Sequence, residues 1–476
     1  MIELTSGDLR AYWNQLSQLA GRDMSLPMNQ IVLRQDALDD LVAIAGATPD
    51  TPVVIVQDGV EILRRGVPIK PLVQGLFEDA GCWVKSITLG DSVPGSLHTE
   101  PGPIAEVQAE LMPGAVVVAL GSGVIADITK HAVHGFEEAS GGRLQLIVAQ
   151  TANSVCAFTS GMAVVTIDGV KRTLPSRLPD ILVLDSQVLA DAPREYSVGG
   201  IGDASVSAVA FADYRLSYLL GLTRWEPMSW EVMAFSRDRF LACDQLLADK
   251  ANLGAGATAI DLSACGFAMT VAGESAPLSG LEHVSSHTLD MVAEVQNRPV
   301  GCHGSQCALA SILSLIAWER LLELPELPAF DPAEIDVDLW REEVKAAFYW
   351  VDDTGAAWQE CWSDFSTKIM AWKDHAAGVR AFMQDWVWQS KGLRKYVTPP
   401  AEFVAALAAA GHPLRWEDIP TDLTEAQARW AFTNAHLMRK RTCVADVLAF
   451  GGLWNEEFID EVFETYRDLI AAYTTE

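Results

Sequence analysis

Continuous β-branched runs that alternate with helix-length stretches, and then stop, constrain this chain more than any other feature. Val53-Val54-Ile55-Val56, Val84 to Leu89, Val116 to Leu120 and Leu144 to Val148 are apolar on both faces. Strands of that kind are covered on both sides, so the runs predict a mostly parallel sheet between two helical layers. Val164 to Ile167 and Ile181 to Leu184 continue the series, with an antiparallel addition as the alternative for this last pair. Past about residue 195 helical spacing takes over. The expected organisation is a helical arm over 1–48, carrying Leu9, Trp13, Leu16 and Leu19, then an α/β domain over 49–195 and an all-helical domain over 196–476. Its Trp-rich extension, about 325–476, holds ten of the 15 tryptophans, read as a helical core. Thr424 with Gln427 predicts a capping box on one of the last helices.

A chain of 476 residues exceeds one ordinary core, in keeping with two or three domains. Its formal charge of −29 opposes a nucleic-acid or anionic-membrane partner, because phosphate backbones demand clustered Lys and Arg. The excess acid reads as a solubilising surface. Cys82, Cys156, Cys243, Cys265, Cys302, Cys307, Cys361 and Cys443 contain no Cys-x-x-Cys pair, which predicts reduced and mostly buried thiols. No leader pattern opens the sequence and no uncharged apolar stretch has membrane-spanning length, so the expectation is a cytoplasmic protein with no membrane span.

Gly121-Ser122-Gly123 stands between the run Val116 to Leu120 and an amphipathic helical stretch. Glycines let the backbone approach a pyrophosphate, and the helix N-terminus stabilises its charge. Such glycines also serve strand-to-helix packing, the plainer alternative. Asp58 closes the first strong strand, where a carboxylate can accept from a ribose diol or simply cap a turn. An acid preceding the glycine turn departs from the ordinary dinucleotide fingerprint.

Asp203 follows Gly199-Gly200-Ile201-Gly202 and is read as beginning a helix, where the dipole would stabilise it. His283, His287 and His303 fall within 21 residues of a chain that has nine histidines. His283 and His287, four apart, share a helical face. A carboxylate with two neutral imidazoles suits Zn²⁺ or Fe²⁺ and leaves a position for a substrate oxygen. For any one of these histidines, a hydrogen-bonded core residue is the alternative.

The order Gly-Ser-Gly-x-x-x-Asp127, Thr151-Ala-Asn-Ser154, Val-Lys-Arg-Thr, Gly-Ile-Gly-Asp203, Gly-Leu-Glu-His283-x-x-x-His287 and His303-Gly resembles the glycerol-1-phosphate dehydrogenases. These lie within the superfamily of iron-containing alcohol dehydrogenases, glycerol dehydrogenases and dehydroquinate synthases. The resemblance covers about residues 50–310, weakens near 325–400 and returns faintly at His436 to Arg441 and Asp446. It implies a dehydroquinate synthase-like fold, an α/β nucleotide-binding domain followed by an all-α metal-binding domain. It further implies a metal held by Asp203, His283 and His303, zinc first, with iron or nickel as alternatives. Gly121, Ser122, Gly123 and Asp127 would line NAD(P)(H), with Thr151, Ser154 and Ser160 completing that site and Asp58 beside it. His287 would face the substrate or relay a proton. Two positions depart from the family: Cys156 stands where a substrate-contacting aspartate is usual, and Ala126 where an asparagine precedes Asp127. A carboxylate acceptor is thereby exchanged for a weak donor.

The function expected is a metal-dependent NAD(P)(H) oxidoreductase interconverting a small polyol, or polyol phosphate, and its ketone, in a homo-oligomer. Lys171, Arg172, Arg439 and Arg441 are candidates to meet a phosphate. Two alternatives are weighed: a dehydroquinate synthase-like cyclase or lyase, which uses nicotinamide transiently, and a non-catalytic relative that serves as a binding or assembly protein.

Overall fold

The computed structural model describes residues 9–25, 27–167, 170–241, 253–296, 298–352, 354–421 and 423–474. Cys243 therefore lies outside the described residues, and the other seven cysteines are free.

Six parallel strands form the sheet: β1 (Gln30–Arg34), β2 (Pro52–Asp58), β3 (Trp83–Leu89), β4 (Val116–Gly121), β5 (Gln145–Gln150) and, after a hairpin, β8 (Ile181–Asp185). Their order is β1-β8-β5-β4-β2-β3. Helix α1 (Leu9–Ala20) precedes the sheet and buries Leu9, Trp13 and Leu16. The arm is not wholly helical, because Ile31 to Leu33 form an edge strand paired in parallel with β8. Three apolar residues between Gln30 and Arg34 leave no periodicity to read, and the partner lies some 150 residues away. The alternative reading of the last pair of strands holds for one member. Met162–Ile167 (β6) pairs antiparallel with Val170–Pro175 (β7), a strand unseen in the sequence because Lys171, Arg172 and Thr173 interrupt its apolar pattern. Ile181–Asp185 joins the main sheet in parallel instead.

Strand succession reverses between β2 and β4: β3 lies on one side of β2 and β4 on the other. Crevices at the carboxyl ends of parallel strands open at such switch points. Gln57 pairs with Leu120, so Asp58 and Gly121 end neighbouring strands at this crevice. Helix α2 (Gly123–Ser140) leaves Gly121 directly.

From Arg194 onward the described residues form no strand. The elements that matter are α3 (Arg194–Ser205), α4 (Leu253–Ala272), α5 (Leu281–Val295) and α6 (His303–Glu323). Ala255–Ala272 is long and apolar enough to cross a membrane, yet 72% of it is buried inside the protein. Asp261 within it pairs with Arg239, so it reads as a core helix. Trp372, Trp386 and Trp416 of the extension are fully buried, whereas Trp388 is 74% exposed. The capping box forms as expected, with Thr424 and Gln427 each accepting from the other's backbone N–H. His436 and Asp446, where the family pattern returned, belong to a buried network in which Asp446 binds Lys368 at 2.8 Å and His436 at 3.0 Å.

Candidate metal centre

The sequence makes Asp203 open a helix, but the structure puts it in the last turn of α3. The glycine run continues the helix rather than preceding it, because close neighbours on every side over-rule its weak propensity. A Cβ on Gly200 would lie 2.1 Å from the Asn153 carbonyl oxygen, and one on Gly202 would lie 2.3 Å from that of Gly304. Two backbones thus meet without side chains between them, and the first turn of α6 comes beside the last turn of α3. The dipole does not stabilise a carboxylate at this end. Asp203 is held there by other means: Oδ2 accepts the Cys156 N–H at 2.7 Å.

Its other oxygen, Oδ1, is buried with no hydrogen-bond partner. Oδ1 faces His283 Nε2 at 3.3 Å and His303 Nε2 at 3.8 Å. Ligand atoms of Asp203, His283, His303 and Cys307 all fall within 4.8 Å of one another. The outer ring nitrogens are engaged elsewhere. His303 Nδ1 meets Ser286 Oγ at 2.8 Å, and that hydroxyl donates to Gln306 Oε1, so the histidine is the donor at Nδ1. His283 Nδ1 stands 3.3 Å from Glu282 Oε1. Each imidazole therefore keeps Nε2 as its inward atom, the arrangement that orients metal-binding histidines. Inward lone pairs around an orphaned carboxylate oxygen need a positive charge between them. Burial alone would lower the affinity of His283 for a proton, but Cys307, Asp203 and Glu282 outweigh it and hold this imidazole well above its ordinary range. A pocket that draws in a proton is one from which a divalent cation displaces it, and the donor set fits such an ion.

His287, one turn after His283, lies beside the group, its ring centroid 5.0 Å from that of His303. Nδ1 is buried without a partner. Burial, with His303, Arg439 and Lys171 nearby, holds His287 well below the ordinary imidazole range, so it is a neutral base. His287, Asp290 and His303 also approach one another within 4.8 Å. Lys171 already neutralises Asp290 at 2.6 Å, which favours the Asp203 group as the ion's place.

The dinucleotide candidates sit at the crevice. No side chain caps α2, because Ser122 at its N-cap makes no capping hydrogen bond. Gly121 also serves packing, since a Cβ there would lie 2.7 Å from Ile125. Thr151 donates its N–H to Gly121 O at 3.1 Å, and a Cβ on Gly123 would meet Val155 at 2.4 Å. Cys156 follows and binds Asp203. One loop thus joins the glycine turn to the metal cluster. Ser154 is half-buried on it, and the buried Ser160 accepts the Met162 N–H at 3.2 Å. Burial and Asp203 push the Cys156 thiol well above its ordinary range, so it stays neutral.

Two expected contacts are otherwise engaged. Asp127 binds Lys130 at 2.9 Å and the Val164 N–H at 3.1 Å, while Lys130 also reaches Ala157 O and Met162 O. Each carboxylate oxygen thus carries a hydrogen bond, which ties α2 to the chain around Val164. Asp58 keeps its place beside Gly121 but pairs with Lys70 at 2.5 Å, so it is no bare anion against a 2′-phosphate.

Cys307 joins the group without any Cys-x-x-Cys pattern to mark it; its signal in the sequence is the four-residue step from His303, the same step that links His283 and His287.

Behind the centre, His412 is buried, donates Nδ1–H to Pro413 O at 2.7 Å, and turns Nε2 toward Gly202. Burial pushes its pKa down to about 4. The unfolded chain takes up this proton below about 6.5 and the native protein does not. Stability from this residue is therefore complete above pH 6.5 and declines by roughly 3 kcal/mol in total toward pH 4. Urea midpoints at pH 7 and pH 4.5 should show a smaller loss for His412→Gln than for the parent; equal losses would reject this assignment.

Residues 91–193 match the family model described as iron-containing alcohol dehydrogenase. A glycerol-1-phosphate dehydrogenase (NAD(P)+) of Bacillus subtilis is 24% identical over 69% of this chain and 79% of its own length. One from Bacillus velezensis is 31% identical over 51% of this chain and 59% of its own. Among solved structures, glycerol dehydrogenase from Schizosaccharomyces pombe superposes with a TM-score of 0.56 at 14% identity, covering 94% of this chain and 93% of that one. A probable glycerol dehydrogenase from Sinorhizobium meliloti gives a TM-score of 0.52 at 17% identity, covering 93% and 98%; these two likenesses speak to the fold. Over residues 91–193 the chain is thus similar to the iron-containing alcohol dehydrogenases, and glycerol-1-phosphate dehydrogenases are among its sequence relatives.

Proposed function

We propose that this protein is a metal-dependent NAD(P)(H) oxidoreductase that interconverts a small polyol phosphate and its ketone. Glycerol 1-phosphate and dihydroxyacetone phosphate are the first pair to try, given the names of its sequence relatives. The observation that carries the reading is the loop 151–156, whose Thr151 meets Gly121, whose Val155 lies against Gly123 and whose next residue, Cys156, binds Asp203. Hydride carrier and metal would then lie across a single loop.

Asp203, His283 and His303 would hold the ion, with zinc favoured over iron by the imidazole and thiol surroundings. When bound, the ion would supply Lewis acidity worth several kcal/mol and the nicotinamide would supply the redox chemistry. This chain's part is placement. The uncapped N-terminus of α2 receives the pyrophosphate. His287, neutral and with Nδ1 unpartnered, takes the hydroxyl proton and passes it outward. The neutral thiol of Cys156 presents no anion to the substrate.

A phosphate needs a cation that is not already spent. Lys171 is held by Asp290, and Arg172 by Glu360 and Asp364. Arg439 donates to Lys171 O and has no carboxylate within salt-bridge reach among the described residues. Its charge is felt at His287, so it is the best-placed partner.

Purified protein should oxidise NADH or NADPH with dihydroxyacetone phosphate, lose that turnover on chelation and recover it with zinc. Arg439→Met should raise KM for the phosphorylated ketone by about tenfold or more, the worth of a charged hydrogen bond, and leave an unphosphorylated polyol unaffected. Undiminished oxidation in metal-free protein would reject the reading.

A further inference from the structure

Cys307 is one helical turn beyond His303 on α6 and completely buried. Its Sγ lies 3.5 Å from His303 Nε2, and it belongs to the same group of mutually close ligand atoms as Asp203, His283 and His303. These separations can be compared with a coordination shell. Zinc bonds of about 2.0 Å to nitrogen or oxygen and 2.3 Å to sulfur give a tetrahedron whose edges are roughly 3.3–3.6 Å. The three edges available are 3.3 Å from Asp203 to His283, 3.8 Å from Asp203 to His303 and 3.5 Å from His303 to Cys307. Four donors so spaced need only small side-chain adjustments to surround one ion.

We propose that Cys307 is a fourth protein ligand, making an Asp203–His283–His303–Cys307 centre that selects a thiophilic divalent ion. The inference rests on the metal-centre reading above and deepens it. Two anionic ligands would neutralise the ion where Asp203 alone leaves it with net positive charge. A thiolate also discriminates, since soft sulfur suits zinc or cobalt and disfavours magnesium and manganese, which prefer oxygen donors. Cys156 is another thiol at hand, but it hydrogen-bonds Asp203 from outside, and its sulfur is not in the group of mutually close ligand atoms.

The test uses the full chain, stripped by chelator and reloaded with Co²⁺. Wild type should show ligand-field bands in the visible together with a thiolate-to-cobalt charge-transfer band in the near ultraviolet. Cys307→Ser should keep the visible bands, lose the near-ultraviolet band and bind zinc at least about tenfold more weakly in competition with a chromophoric chelator. Cys156→Ser should keep both sets of bands. Sulfur scattering in the X-ray absorption of zinc-loaded wild type needs no variant and guards against one that misfolds. Visible bands without the charge-transfer band in wild type would overturn the role of Cys307 while leaving the Asp203, His283 and His303 site intact. So would a charge-transfer band that persists in Cys307→Ser. Failure of wild type to take up cobalt would overturn the metal-centre reading itself.

Discussion

Asp203→Asn is expected to abolish practical turnover and release the metal while the fold survives. The substitution keeps the size of the side chain and its contact with the Cys156 N–H, but it removes the anion that Oδ1 presents to His283 and His303. An amide is a poor ligand for zinc, and its NH₂ group would point a donor at nitrogen lone pairs where the carboxylate shared a cation. Several kcal/mol of Lewis-acid stabilisation depends on the ion, so kcat/KM should fall by roughly a thousandfold or more. Ser286→Ala gives the graded comparison. It leaves all ligands in place but takes away the acceptor that orients His303, for an expected 10–100-fold loss in metal affinity or activity, as for outer-shell partners generally. Metal content by elemental analysis, circular dichroism and steady-state rates would decide. A folded Asp203→Asn protein with wild-type metal content and wild-type turnover would show that this carboxylate is only structural.

Gly304→Ala should be the most damaging single methyl group in the protein. A Cβ at 304 would sit 1.8 Å from the Gly199 carbonyl oxygen and 2.9 Å from the Asp203 nitrogen, both backbone atoms that cannot rotate away. Propensity predicts the opposite sign, since alanine is better than glycine inside a helix by up to about 1 kcal/mol. Overpacking of side chains usually costs about 1–3 kcal/mol, and a clash of backbone with backbone has no rotamer through which to relax. The expected loss is on the order of 3 kcal/mol or more, read as a fall in urea midpoint. Separating α3 from α6 also draws His303 from Asp203, so metal affinity should fall together with stability. Gly75→Ala supplies the control: that glycine lies in the helix Ile69–Asp79 with nothing within 4 Å of the added carbon, and it should be neutral or slightly stabilising. Equal stability of Gly304→Ala and wild type would mean that the two helices do not meet as described.

Much of the architecture was legible because burial on two faces leaves a plain mark on a strand. Val53 to Val56, Val116 to Leu120 and Leu146 to Ala149 are almost wholly apolar, and all lie in the parallel sheet with little or no exposure. Features whose cause is distant were not legible. Ile31 to Leu33 became a strand because β8 lies alongside, and Asp127 is met by Lys130 and by a backbone N–H 37 residues away. Asp203 closes its helix rather than opening it: glycines ordinarily interrupt helices, and only their neighbours show why these do not.

The linear order of residues determined which chemistry was available: a glycine turn after a buried strand, one carboxylate, and histidines spaced by helical turns. Those are local facts, carried by residue type and by a period of three to four. Folding decided which atoms meet. Asp203 and His303 are 100 positions apart, and nothing local requires them to approach. They do so because glycines on α3 and α6 remove the side chains that would hold the two backbones apart. The same approach placed Cys307 in the group, since a side chain one turn beyond His303 must face whatever His303 faces.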